Sequence, residues 1–501
     1  MKHETLAAVD LGSNSFHLQI GRVVDEQIYL LDSLREPVRL AAGLTRERRL
    51  DRATQLRALD ALGRFGERLR RFPKGAVRAV GTNALRVARN ADAFLEEAES
   101  VLGFPVEVVF GREEARLIYL GVAHTLPLQA ERRLVVDVGG GSTEFIIGTG
   151  LDPQLTESVP IGCVSYSMKF FADGRLEKAC FKRAELAAGN EIERLQKAYR
   201  RAGWSHAVAS SGTARAVAAI LAACGWADHG ITAEGLDRLR SHMVKAREVE
   251  RLRLPALRED RSAILPGGVA ILSAVFESLG IDAVDVSDAA LRQGVLYDLL
   301  GRVRHSDARQ ATVSHFQRRY HADIAQAERV WNLARQIYLD LRSQPAEADM
   351  AMLGWAAALH EIGISIAHAG YHKHSAYILA QADMPGFSQK EQARLALIVL
   401  GHRGRLSKAE LESLPANSAD RALVFALRLA SLFYRSRADA PLPPLTCRAT
   451  DFGFEVAIAQ AWLEEHPLTH SALEQEAEEW DALGGLLEMR AVADERRRAA
   501  G

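Results

Sequence analysis

The chain has almost no net charge. Lys plus Arg (63) nearly cancel Asp plus Glu (64). No global field is left to attract nucleic acid or an anionic membrane, so a polyanion must be met by a local groove. Cysteine is scarce: Cys163, Cys180, Cys224 and Cys447 are the only four in 501 residues. They form no Cys-x-x-Cys pair and no zinc spacing, which predicts reduced, mostly buried thiols in a cytoplasmic protein. No uninterrupted apolar stretch approaches the ~20 residues of a transmembrane segment. The opening Met1-Lys2-His3-Glu4-Thr5 leads straight into a strand and lacks a signal-peptide core. No G-x-x-x-x-G-K-[ST] occurs, which excludes a P-loop. No G-x-G-x-x-G opens a helix after a strand, so a dinucleotide fold has no support. The hydrophobic content of 48% is enough for sizeable cores, and 501 residues suggest roughly three domains.

Two glycine-rich turns of one design stand out. VDLGSNSFH runs from Val9 to His17, and VDVGGGSTE from Val136 to Glu144. Each has an apolar run, an aspartate, a turn of Gly, Ser and Asn or Thr, and a second apolar run. That pattern is strand, turn, strand, occurring twice. Such turns adopt unusual backbone angles and aim several N–H groups at one point, where an anion binds. Two of them facing across a cleft would hold a phosphate chain. Aspartates at the strand ends suit Mg²⁺, a hard cation that takes carboxylate and phosphate oxygens.

Residues 1–125 alternate strand and helix signals, and residues 126–302 open with the second hairpin and repeat the style. The 127-residue offset between Asp10 and Asp137 predicts two related lobes. Helices are expected over Asp51–Phe72, Ala84–Leu102 and from Gly111. Strands are expected at Ala76–Val80 and Val106–Phe110. Val208 to Thr213 reads as a strand entering a helix N-terminus, which is either an anion site or an ordinary capped helix. Residues 303–435 have helical periodicity, with clear helices over Ala322–Leu341 and Met350–Glu361. Beyond Pro441-Leu442-Pro443-Pro444, residues 436–501 read as a small α+β unit. Two short strands flank Asp451-Phe452-Gly453, a last helix spans His470–Trp480, and Arg496-Arg497-Arg498 forms a solvated tail.

The set DLGSNSFH (Asp10–His17), GREEARLIYLGV (Gly111–Val122), VDVGGGSTE and PIGCVS (Pro160–Ser165) resembles the exopolyphosphatase and guanosine pentaphosphate phosphohydrolase family. SSGT (Ser210–Thr213), SDAALRQGVLYD (Ser287–Asp298) and HKHSAYIL (His372–Leu379) extend the match over nearly the whole chain. The resemblance implies an α/β fold of two actin-like, ribonuclease-H-like lobes, then a helical HD-like domain and the small C-terminal domain. It also implies Mg²⁺-dependent hydrolysis of a terminal phosphoanhydride.

That chemistry needs charge neutralisation, an oriented water and an acceptor for its proton. Glu113 and Glu114 are adjacent, so on a helix they point about 100° apart and only one should enter the cleft. The motif match makes Glu114 the catalytic base. The plain alternative is that both are helix-start carboxylates or partners of Arg112 and Arg116. The resemblance places Asp10, Asp137 and Glu144 around Mg²⁺. Ser13, Asn14, Gly140, Gly141, Ser142 and Gly212 would supply donors to phosphates, and Arg86 a guanidinium. His360, His368, His372 and His374 cluster in the helical region, where HD-type domains hold metal by a His-Asp pair. Here the pair reads His360-Glu361, which argues for packing and polyanion contacts over a metal.

The expected substrate is inorganic polyphosphate, with guanosine pentaphosphate as the alternative. GGGSTE, GCVSY and HKHSAYIL lean towards polyphosphate. The rivals are an actin-like kinase or chaperone, and a nonenzymatic polyphosphate or alarmone sensor. No nucleic-acid partner is expected, and a homodimer stays open.

Overall fold

The computed structural model describes residues 4–24, 27–126, 131–303, 307–405, 418–439, 441–450, 453–482 and 486–492. Met1-Lys2-His3, Asp451-Phe452 and Arg496-Arg497-Arg498, all read above, lie outside them. The chain divides into two compact units. The first is Met1–Ala308 with Pro385–Gln389, and the second is Arg309–Met384 with Lys390–Gly501.

The first unit contains one motif twice. Strands β1 (Thr5–Leu11), β2 (Phe16–Val24) and β3 (Gln27–Glu36) form an antiparallel meander. Helical connections then bring β4 (Val77–Gly81) parallel to β1 and β5 (Val106–Val108) parallel to β4, giving the order β3-β2-β1-β4-β5. In the second lobe β6 (Arg132–Val138), β7 (Thr143–Thr149) and β8 (Asp152–Val159) repeat the meander. There β9 (His206–Ser210) lies parallel to β6, and β11 (Ala283–Val286) parallel to β9. A two-residue strand, β10 (Ile231–Thr232), closes the order β10-β11-β9-β6-β7-β8.

Side-chain alternation along these strands separates two kinds of core. Ala7, Val9 and Leu11 of β1 pack against Leu62, Phe65 and Phe94 on the outside of the first lobe. Leu134 and Val136 of β6 pack on the outside of the second. Leu6 and Ala8, with Val135, Ile146 and Val208, face a shared middle layer. That layer contains the helices Gly111–Thr125 and Leu291–Val303. They cross on two glycines. A Cβ on Gly121 would lie 2.3 Å from the Ala290 carbonyl oxygen, and one on Gly294 would lie 1.7 Å from that of Leu117. Only backbone without side chains fits this crossing.

Most expected elements are present. The helix Arg52–Leu69 starts at Asp51, whose Oδ1 accepts from the Thr54 N–H at 2.7 Å. One expected helix is split. Ala84–Leu102 is two helices, Asn83–Val87 and Ala91–Leu102. Between them the Asn90 amide exchanges hydrogen bonds with the Leu50 backbone, at 2.8 and 3.1 Å, and this anchors the break. The edge strands β3 and β8 had no signal in the reading above.

The second unit is largely helical, as its periodicity predicts. It includes Ile324–Leu341, Glu347–Leu359, Tyr371–Gln381 and Ala419–Phe433. A small sheet of β12 (Leu445–Ala449), β13 (Gly453–Ala459) and β14 (Leu486–Val492) follows, with the helix Pro467–Ala482 before β14. Among the described residues no helix is long and apolar enough to cross a membrane. Cys163, Cys180 and Cys447 are buried free thiols, and Cys224 is partly exposed.

Candidate active site

Strand parity decides which side chains meet. Asp10 shares the face of Leu6 and Ala8, Asp137 that of Val135, and Glu144 that of Ile146. All three therefore point into the middle layer. The registers match: Asp10 pairs with His17 across β1 and β2, and Asp137 pairs with Glu144 across β6 and β7. His17 thus occupies in the first lobe the place of Glu144 in the second. The Asp137 Oδ2 accepts a hydrogen bond from the Ser210 hydroxyl on β9. The Glu144 Oε1 accepts one from Ser158 at 2.8 Å.

The adjacent glutamates divide as helix geometry requires. Glu113 is held by Arg116 in a bidentate pair at 2.7 and 2.8 Å and by the Gly386 N–H at 2.9 Å. It belongs to a buried ion network with Arg78, Asp298 and Arg302. Glu114 lies with Ile118 on the side that lines the cleft. Its Oε2 is 3.1 Å from the Arg86 Nη1, which also donates to the Val109 carbonyl at 2.8 Å. Arg112 turns outward to Glu157. Partnership with arginine therefore describes Glu113 in full and Glu114 only through Arg86.

The two glycine-rich turns abut. A Cβ on Gly140 would lie 3.0 Å from the Ser13 Cβ, and one on Gly141 would lie 2.4 Å from the Asn83 Oδ1. The N-terminus of the helix Cys163–Phe170 orients the second turn. Cys163 N–H donates to the Gly139 carbonyl at 2.9 Å, and Val164 N–H to that of Gly140 at 3.0 Å. In a trans peptide the next N–H points the opposite way, so Gly140 and Gly141 turn their N–H groups away from that helix. Ser142 bonds to Glu144 and lines the same cavity as Ser13 and Asn14.

Gly212 sits at the start of the helix Ser211–Ala223, where Ser211 has a φ of 95°. A non-glycine residue there is strained, a feature that concentrates at functional sites. The Arg261 guanidinium packs closely on Gly212, since a Cβ there would be 2.0 Å from its Nη2. Arg215, Arg261 and Arg292 line the cavity, which encloses about 130 Å³. None of the three was singled out above, although Arg292 lies within the quoted SDAALRQGVLYD. His17 had a signal too, the same 127-residue offset from Glu144.

The electrostatics are those of two unneutralised sets. Burial pushes the Asp10 carboxyl up to about 7. Arg292, 3.9 Å away, opposes this, and Glu114 and Asp137 add to it. Burial raises Asp137 to about 6 despite its hydrogen bond from Ser210. Glu144 is raised by burial and by Glu114 and Asp137, and Glu114 is raised by burial against Arg86. Burial also lowers Arg261 and Arg292. It holds His17 down at about 2, with Arg292 and Arg35 contributing, so that imidazole is neutral. Desolvated guanidiniums beside desolvated carboxylates leave places for both an anion and a cation.

The fit to a metal can be tested here. Asp10 Oδ1 is buried with no hydrogen-bond partner. Among the described residues no three His, Cys, Asp or Glu side chains converge closely enough to enclose a metal alone. That pattern matches Mg²⁺, which uses one or two carboxylates and fills its shell with water and phosphate oxygens.

Comparison with known proteins settles the family. The model of the Ppx/GppA phosphatase family matches residues 19–303, and that of Ppx/GppA phosphatase domain III matches residues 308–477. The chain belongs to the Ppx/GppA phosphatase family. Members are phosphatases, and this chain is a hydrolase of phosphoanhydride bonds. It is 39% identical over 482 residues to the guanosine-5'-triphosphate,3'-diphosphate pyrophosphatase of Pseudoalteromonas translucida, spanning 95% of this chain and 97% of that protein. An exopolyphosphatase from Cytophaga hutchinsonii superposes with a TM-score of 0.55 at 26% identity, over 60% of this chain and 98% of its own. The Aquifex aeolicus Ppx/GppA member gives a TM-score of 0.51 at 26% identity, over 60% and 99%. The expected actin-like α/β architecture is that of these Ppx/GppA structures.

Proposed function

We propose that this protein releases the terminal orthophosphate of guanosine pentaphosphate by direct attack of water. The observation that carries the substrate is the relative from Pseudoalteromonas translucida, matched across 97% of its length and bearing that activity in its name. The lean towards polyphosphate drawn from GGGSTE, GCVSY and HKHSAYIL gives way. The exopolyphosphatase structure is less similar and corresponds to only 60% of this chain. Polyphosphate remains the second reading, on the strength of that structure.

The geometry supports a role for each residue. The N–H groups of the second turn, with Ser13, Asn14 and Gly212, bind phosphate oxygens. Arg261 and Arg292 neutralise the charge that an approaching anion brings, and gain a partner for their desolvated guanidiniums. Glu114 accepts the proton of the attacking water, and Arg86 keeps its carboxylate in position. The water oxygen bonds to the terminal phosphorus, the bridging P–O bond breaks, and the leaving phosphate keeps the electron pair. Asp10, whose Oδ1 lacks a partner among the described residues, and Asp137 would hold Mg²⁺, which when bound neutralises phosphoryl oxygens, with the Glu144 carboxylate adding its charge nearby. The test is phosphate release from guanosine pentaphosphate and from long polyphosphate side by side, with Mg²⁺ and with chelator. A higher kcat/KM on polyphosphate would reverse the assignment. Equal rates in chelator would remove the metal.

A further inference from the structure

The second unit contains a cavity of its own, of about 310 Å³, unrelated to the phosphoryl-transfer residues. Its wall includes His360, Tyr371, His402, Arg403, Arg435 and Arg437. His360 and His402 are each 2% exposed, and their rings meet edge to face at 5.1 Å. Both are fixed in the same tautomer. His360 Nδ1 lies 2.8 Å from the Ala357 carbonyl and His402 Nδ1 lies 2.5 Å from the Val399 carbonyl. A nitrogen facing a carbonyl must carry the proton, so each Nε2 presents a bare lone pair. The His402 Nε2 is buried with no hydrogen-bond partner among the described residues. Burial holds both rings neutral, and His360 and His372 add to this at His402.

Locked imidazoles with free Nε2 atoms are also how metal ligands are prepared. The rest of the pocket refuses a metal. Glu361, beside His360 in the sequence, is taken by the Arg437 Nη2 at 2.7 Å, and its oxygen is 3.9 Å from the His360 Nε2. Glu476 is taken by Arg428 and by the Trp480 N–H. A guanidinium therefore occupies the position of positive charge that a cation would need. Two further guanidiniums, Arg403 and Arg435, are exposed, and neither has a carboxylate partner among the described residues. Arg403 rests on the Tyr371 ring and donates to its hydroxyl at 3.2 Å.

We propose that this pocket is a metal-free binding site for a partly protonated phosphate group, held by Arg403 and Arg435 and giving its own O–H to the His402 Nε2. Guanidiniums pair with phosphate through two parallel hydrogen bonds. A bare imidazole nitrogen can only accept, so it repels a fully deprotonated anion. Near neutral pH inorganic phosphate and pyrophosphate still carry protons, whereas sulfate and carboxylates do not. The ligand chemistry is thereby narrowed from anions in general to phosphates.

The experiment is calorimetric titration of the full-length protein with pyrophosphate and with sulfate, at one neutral pH and ionic strength. Wild type should show two classes of pyrophosphate site, the catalytic cleft and this pocket. The Arg403→Ala, Arg435→Ala double variant changes only exposed side chains. It should lose one class, with affinity weakened about tenfold or more, and keep its phosphate-release rate. His402→Gln, with its melting temperature checked, should lose the same class. Sulfate should bind this class at least about tenfold more weakly than pyrophosphate. Both classes surviving in the double variant would overturn the site. Equal affinity for sulfate would overturn the shared proton. Stoichiometric Zn²⁺ binding that disappears in His402→Gln would make it a metal site instead.

Discussion

Replacing Glu114 with Gln separates chemistry from structure, because the two should move in opposite directions. The substitution keeps the volume and retains an oxygen that can accept from Arg86 at the present 3.1 Å. It removes the carboxylate proposed to take a proton from water. A general base contributes ~10²–10⁴-fold, which is about 2.7–5.4 kcal/mol of barrier. The kcat should fall by that order. KM should change little, since Ser13, the second turn, Arg261 and Arg292 are untouched. Stability should hold or rise. Glu114 raises the energy of ionised Asp10, Asp137 and Glu144, and its own carboxylate is desolvated. An amide relieves all four penalties. The assay is steady-state phosphate release paired with thermal unfolding in the same buffer. A kcat within about threefold of wild type would refute the base assignment. A large loss of activity with a lowered melting temperature would show Glu114 to be a structural carboxylate.

Glu113→Gln should do the reverse. Breaking its pair with Arg116 leaves a buried guanidinium undercompensated, at a cost of about 3–5 kcal/mol, so chemical denaturation should shift while the rate per folded molecule stays near wild type. Gly294→Ala forces a Cβ to within 1.7 Å of a backbone oxygen. It should cost about 1–3 kcal/mol or more and lower kcat with stability, because it pries apart the helices carrying Glu114 and Arg292. Retained activity at wild-type stability would show that the crossing does not set their positions. The raised folded-state pKa values of Asp10 and Asp137, about 7 and about 6 against an ordinary 3.8, favour folding below pH ~4. That stabilisation should fade as pH rises from about 4 to 7. In chelator, wild type should therefore lose stability relative to Asp10→Asn over that window, and parallel curves would contradict the burial of that charge.

The hairpins were legible because strand, turn and strand are local, and because Asp10 and Asp137 stand at equal positions in two copies. The middle layer follows from period-two alternation once the strands are known. The arginines were not legible. Arg261 and Arg292 matter because segments distant in the chain converge on Gly212 and Asp10, and a single sequence carries no trace of that convergence. The break after Val87 was hidden for the same reason, since Leu50, forty residues before Asn90, binds the Asn90 amide. β8 is an edge strand with no apolar run, and β3, an edge strand with half its positions exposed, holds Ile28-Tyr29-Leu30-Leu31 without the glycine-rich turn that marked β1 and β2. The glutamate pair was half legible: helix geometry required a split, and only packing showed that Glu113 takes the structural side.

Duplicated folds carry a hidden ambiguity. A cleft between two equal halves would offer its guest two equivalent ways in, and a polar chain could lie in either direction. Here the halves differ at one matched rung: the first presents the neutral ring of His17 where the second presents the carboxylate of Glu144. At that rung a carboxylate stands on the second bank alone. The cleft thus has two unlike banks, and the proposed reaction is expected to admit a phosphate chain in one direction.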